Sequence, residues 1–223
     1  MKMTVVVRLA LIIWISAFYS NSFAQQKEIQ FKNPPLNTEA LFSNRGMSFQ
    51  MIMNKQIQSV PKFGFFSITN LVGEWKSNRV EDHMTQAHVT YSIGKGFKLG
   101  GGFHLTPVTG IRPSAALIYS KASENWLVVA NARVDLSKDR NVESVLLIEY
   151  KPKINEKWRF YSRLQGLYAH NTVKGTHSRS FAVARAGFNF KDFTFGAGTN
   201  IDYYGPMRQN ENSFGGFISC LLF

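Results

Sequence analysis

The chain carries five histidines and one cysteine, with 26 Lys and Arg against 14 Asp and Glu, and its candidate chemistry begins with the histidines. His88 and His104 flank the turn sequence GKG at 94–96. A hairpin centred on Gly96 would make the two imidazoles cross-strand neighbours, and such a pair could hold a metal or sense pH. A metal site needs three or more ligands, and the sequence supplies no third beside them. The pair therefore reads as polar filling of an interior, with no metal and no cofactor. His83, His170 and His177 fall near segment ends, the last two close to Ser178 and Ser180. A serine hydrolase would require nucleophile, base and orienting group to converge. Neither G-x-S-x-G nor H-E-x-x-H occurs, so the reading is non-enzymatic, with a lipid hydrolase or deacylase as the alternative.

A second set of residues carries charge at alternate positions. Arg133, Asp135, Glu149, Lys151, Arg159, Arg163, Arg185 and Asp202 all sit on the polar side of segments whose other side is apolar. Walled into a narrow interior, such charges must pair or cost several kcal/mol each. Glu149 is expected to pair with Arg159 or Arg163. Because basic residues outnumber acidic ones in this set, any pathway through it should lean towards anions.

The elements that must position these groups are strands. Alternation of period two recurs in ten segments, over 62–75, 83–93, 97–106, 111–121, 126–136, 142–151, 158–170, 179–190, 193–204 and 213–223. Trp126, Val128, Ala130, Ala132 and Val134 share one face while Asn131, Arg133 and Asp135 share the other. An eleventh segment, 46–56, would need a partner such as KEIQFK at 27–32, giving twelve, since bacterial single-chain barrels are even-numbered. The expectation is an all-β transmembrane antiparallel barrel over 46–223, with ten strands or alternatively twelve. Residues 25–45, with Pro34 and Pro35, read as an N-terminal periplasmic extension or linker. Residues 1–24 read as a cleaved signal peptide, with Lys2 and Arg8 flanking an apolar stretch too short to span a membrane and small Ser22 and Ala24 before Gln25.

Aromatics gather near strand ends, at Trp75, Trp126, Tyr150, Trp158, Tyr168 and Tyr203, as interfacial girdles do. Together with the alternation, they place Phe195, Ile201 and Leu221 in hydrocarbon and Arg163 and Arg185 inside. The glycines at 100–102, 196, 198, 215 and 216 precede no helix. They are not phosphate cradles but bends, close approaches of backbone, or room for interior aromatics. Outer connections should be the longer ones, including NTVKGTHS and GPMRQNEN. Those two would serve a transport-accessory or surface-binding barrel, a further alternative.

The last residues, SFGGFISCLLF, alternate Phe217, Leu221 and Phe223. This ending resembles the terminal strand of Gram-negative outer-membrane β-barrels. The stretches EYKPKINEKWRFY and NIDYYGPMRQNENSFGGF resemble exported barrels of Bacteroidota. The resemblance implies residence in the outer membrane among its lipids. It also implies insertion by the barrel-assembly machinery, with Phe223 as the assembly signal. A monomer, structural or a narrow porin-like channel, is expected. Nucleic acid is excluded by export, despite the formal net charge of +12. The single Cys220 excludes a disulfide within the chain.

Overall fold

The computed structural model describes residues 33–223 except 78, 79, 139 and 223. The expected signal peptide and Phe223 lie outside the described residues. Twelve strands follow one another: β1 Leu36–Ser43, β2 Gly46–Gln56, β3 Phe63–Glu74, β4 Val80–Gly94, β5 Phe97–Thr106, β6 Gly110–Ala122, β7 Trp126–Asp135, β8 Asn141–Tyr150, β9 Trp158–Asn171, β10 Thr176–Phe190, β11 Phe193–Tyr204 and β12 Gln209–Leu222. Each pairs antiparallel with its neighbour in sequence, and β1 pairs with β12 from Leu36↔Leu222 to Ser43↔Gly215, closing the barrel. Closure removes the unpaired edges that an open sheet would present.

The count is twelve, the alternative to ten. The expected partner strand at 27–32 lies outside the described residues; the strand that completes the closed barrel is Leu36–Ser43, inside the stretch 25–45 read as a linker. The connections also differ from expectation. Those at the end opposite the termini run from two to five residues, and those at the end holding the termini from two to seven. Half of NTVKGTHS and half of GPMRQNEN is strand, in β9, β10 and β12. Loop length therefore does not orient the barrel.

Side-chain period and register together fix the two faces. Leu41, Phe66, Ile118, Arg133, Glu149, Arg163 and Phe217 point inward and are buried. Val89, Leu99, Leu146, Leu164 and Phe195 point outward and are exposed, Leu164 by 66%. The assignment of Phe195 and Ile201 to the exterior holds. Leu221 does not follow: it pairs with Asn37 and falls on the inward parity with Ser219 and Phe217. Both parities of the last strand carry apolar residues, Phe217 and Leu221 against Ile218 and Leu222, so alternation there does not reveal which side faces out.

Exterior aromatics crowd the end that holds the termini. Phe63 stacks edge-on to Tyr91, Phe97 lies 4.8 Å from Tyr119, Trp126 lies 4.3 Å from Tyr150, and Trp158 lies 4.9 Å from Phe190. Tyr168 and Tyr203 mark the other half. Trp75 sits in the turn after β3 and donates to Ser43 O at 2.8 Å.

Candidate functional site: the barrel lumen

At mid-height the lumen is filled. Arg163, Tyr161, Phe66, Leu41, Ile118, His88, Gln86 and Glu149 are each less than 2% exposed. Phe66, Ile68, Met84, Ala116 and Ile118 form an apolar cluster against one wall, while three ionic groups occupy the rest.

The first lies towards the termini end. Glu39, on β1, accepts from Arg163 Nη2 at 2.7 Å and from Arg185 Nε at 2.8 Å. This chord crosses the lumen from the first strand to β9 and β10. Arg163 and Arg185 are direct cross-strand partners, so one carboxylate holds two adjacent guanidinium groups. Glu149 stands directly opposite Arg163, yet it does not take the hydrogen bond expected from it. Tyr161 Oη donates to Glu149 at 3.0 Å, and Lys151 Nζ lies 3.0 Å from its other oxygen. The arginine side chain is long enough to reach Glu39 across the interior, which leaves Glu149 to its nearer neighbours. Arg159 does not join them; it donates to the carbonyls of Lys151 and Glu124 at the rim.

The second group lies towards the opposite end. Arg133 pairs with Asp135 and, at 3.0 Å, with Glu143, and Arg112 approaches Asp135 at 3.7 Å. The third is Arg179, which meets Asp82 at 2.8 Å and Asp202 at 3.0 Å and donates to Tyr204 Oη at 2.8 Å. Above it, Arg45 bridges Glu74 and Glu211.

The histidine pair is offset from the expected register. A bulge between Ser92 and Gly94 shifts the hairpin, so His88 faces Gly102 and His104 faces Gln86. His88 Nε2 contacts Ser114 Oγ at 3.0 Å. His104 lies 3.8 Å from Asp135. Among the described residues, no three His, Cys, Asp or Glu side chains converge as metal ligands. Of the rim histidines, His170 stacks on Tyr168. His177 Nδ1 meets Gly205 O at 2.7 Å, and its Nε2 meets Ser180 Oγ at 3.0 Å.

At the end opposite the termini the lumen opens into a vestibule of about 560 Å³, lined by His104, Arg112, Arg133, Glu143, Lys174 and Arg179 among others. Of the eight charges read from the sequence, Arg133, Asp135, Glu149, Arg163 and Arg185 are buried and Asp202 is mostly so, while Lys151 and Arg159 lie towards the rim. Sequence reasoning missed Glu39, Asp82, Glu143, Arg112 and Arg179. Arg179 was legible as the alternate-position continuation of Arg185; Glu39 was hidden in the supposed linker.

No family model and no curated protein matches the chain. Among solved structures, the NanC porin is 15% identical and covers 84% of this chain and 100% of its own, with a TM-score of 0.48. The KdgM porin is 10% identical, with coverage of 84% and 99% and a TM-score of 0.46. Outer-membrane expressed OmpT of Vibrio cholerae is 9% identical, with coverage of 79% and 65% and a TM-score of 0.38. The barrel architecture described above rests on the strand register of this chain itself.

The missed residues change the lumen electrostatics. Inside the barrel, Arg112 and Arg133 are met by Asp135 and Glu143, Arg163 and Arg185 by Glu39, Arg179 by Asp82 and Asp202, and Lys151 by Glu149, while Lys98 donates to Asn54, so the interior charge is largely paired. The basic excess sits at the mouths, with Lys174 in the vestibule and Lys157 and Arg159 beside the connection 151–157, whose Lys151 and Lys153 are met by Glu149 and Glu124.

Proposed function

We propose that this protein is an integral barrel of a Gram-negative outer membrane, non-enzymatic and monomeric, with a charge-filled lumen that leaves at most a narrow, anion-leaning pathway. The observation that carries the reading is sidedness. Large apolar side chains cover the closed exterior, aromatics ring one end, and ionic groups are paired inside; a barrel in hydrocarbon needs all three. Outer-membrane lipids surround it, the barrel-assembly machinery inserts it, and the termini end faces the periplasm. The packed mid-height argues for a structural barrel or a low-conductance channel over an open porin.

The anion preference in this reading comes from the basic mouths and not from the neutralised interior. Mouth charges act through solvent and are screened over about 10 Å at 0.1 M salt and about 3 Å at 1 M. Single-channel recordings on the purified full chain should therefore show small conductance, with an anion preference that is clear at 0.1 M KCl and falls towards unity at 1 M. Cation preference, or a preference unchanged by salt, would refute it. Conductance on the scale of a wide aqueous pore would contradict the packed lumen.

The hydrolase reading keeps one specific observation in its favour. With Nδ1–H donated to the Gly205 carbonyl, His177 presents Nε2 as an acceptor to Ser180 Oγ, the arrangement a general base requires. A backbone carbonyl stands where a carboxylate would orient the base. Phospholipid turnover by the purified barrel, lost in both Ser180→Ala and His177→Ala, would establish it. The non-enzymatic reading expects no turnover in any of the three proteins.

A further inference from the structure

The exterior carries an open groove of about 600 Å³ running along β7. Its floor is made of small outward residues, Ala130 and Ala132 on β7, Ser144 on β8 and Gly166 on β9. Leu117 and Tyr119 on β6 form one wall; Leu146 and Tyr168 form the other. Small outward residues also form a row at Ser162, Ala186, Ala197 and Gly216, but along β7 the small floor lies between the larger Leu117, Tyr119, Leu146 and Tyr168, which makes it a depression. Its mouth at the termini end is marked by the Phe97–Tyr119 ring pair.

Two lysines stand at that mouth. Lys121 is the next outward residue after Tyr119 on the same strand. Lys95 occupies the turn before Phe97, and the register that pairs Phe97 with Tyr119 brings positions 95 and 121 to the same stretch of rim. Both are exposed, and neither has an acidic partner among the described residues. The nearest acid in sequence, Glu124, is bound to Lys153. A hydrocarbon slot that ends at a pair of uncompensated ammonium groups, with rings at the interface between them, matches an amphiphile with a long apolar chain and an anionic head.

We propose that this groove binds one anionic phospholipid, an acyl chain lying over Ala130, Ala132, Ser144 and Gly166 and the phosphate held by Lys95 and Lys121. The site rests on the membrane reading above and adds a lipid class and a leaflet to it, that of the termini end. Each lysine near an anionic headgroup is worth about 1 kcal/mol, so two together correspond to roughly a 30-fold preference over a zwitterionic lipid.

Native mass spectrometry of the full chain, released from detergent after exposure to equimolar phosphatidylglycerol and phosphatidylethanolamine, tests this. The wild type should retain phosphatidylglycerol in preference. The double variant Lys95→Gln/Lys121→Gln should retain the two lipids alike. Gly166→Leu should weaken both lipids: its side chain would point into the groove, and a Cβ there meets nothing nearer than Phe181 O at 3.8 Å. Lys62→Gln/Lys157→Gln, elsewhere on the same rim, should behave as wild type. Equal retention by the wild type overturns the proposal, as does an equal loss of preference in the Lys62/Lys157 variant. Flotation with vesicles and heat-modifiable gel mobility, measured on every protein, separate the two readings. A wild type that fails to float refutes the membrane barrel, whereas one that floats without lipid preference refutes only the site.

Discussion

Glu39→Ala is expected to destabilise the barrel by about 3–5 kcal/mol, the range found when one partner of a buried ion pair is removed. Glu39 and Arg185 are each 3% exposed at the side chain and Arg163 1%, so beyond a lumen cavity of about 50 Å³ that these three residues line, bulk solvent does not replace the lost carboxylate. The two guanidinium groups are cross-strand neighbours, and without Glu39 their repulsion is uncompensated. Glu149, the other acid near Arg163, is already engaged by Tyr161 and Lys151. The urea midpoint of the reconstituted barrel should fall markedly for Glu39→Ala and also for Glu39→Gln, which keeps an acceptor but not the charge. A triple replacement, Glu39→Leu with Arg163→Met and Arg185→Leu, should recover most of the loss, because an apolar core of similar volume needs no counter-charge. A midpoint for Glu39→Ala equal to that of the wild type would show that the chord from β1 to β9 and β10 does not hold the lumen together.

That chord also marks the boundary of what the sequence discloses. Alternation gave the direction of each side chain in β7, β9, β10 and β11, because one face there is almost wholly apolar and the other polar. It failed at β1, where Asn37, Glu39 and Leu41 face inward and Leu36, Thr38, Ala40 and Phe42 face outward, so that neither face has a uniform character. Only pairing with β2 and β12 makes that segment a strand. The His88 and His104 register was off by the bulge at Ser92, a backbone irregularity with no residue signature of its own. Period two tells which side of the wall a charge occupies, and hairpin order tells its immediate neighbours. Neither tells which strand across the lumen a long side chain will reach. Glu149 was therefore expected to pair with Arg159 or Arg163 on the adjacent strand, whereas the carboxylate that Arg163 reaches is Glu39 on β1.

Gly196→Val is expected to prevent the closed barrel from forming. Tyr161, Gly187, Gly196 and Phe217 make one cross-strand row on the lumen wall, and the Tyr161 and Phe217 rings lie 5.8 Å apart across the two glycines. A Cβ on Gly196 would fall 2.1 Å from Ala186 O, and one on Gly187 would fall 2.1 Å from Phe195 O. The obstacles are backbone atoms, which no rotamer change can move, so the cost should reach or exceed the ~3 kcal/mol at the upper end of overpacking penalties. It would fall on the C-terminal hairpin whose outer strand must then pair with β1. Gly101→Val supplies the contrast: that residue faces outward, and a Cβ there meets nothing within 4 Å, so its product should show the heat-modifiable mobility of the wild type. Loss of the compact gel band in Gly196→Val but not in Gly101→Val would tie the requirement to backbone approach under the aromatic pair. Equal folding of both would mean that β10 and β11 do not come so close, and that Tyr161 and Phe217 are seated by something other than the missing side chains between them.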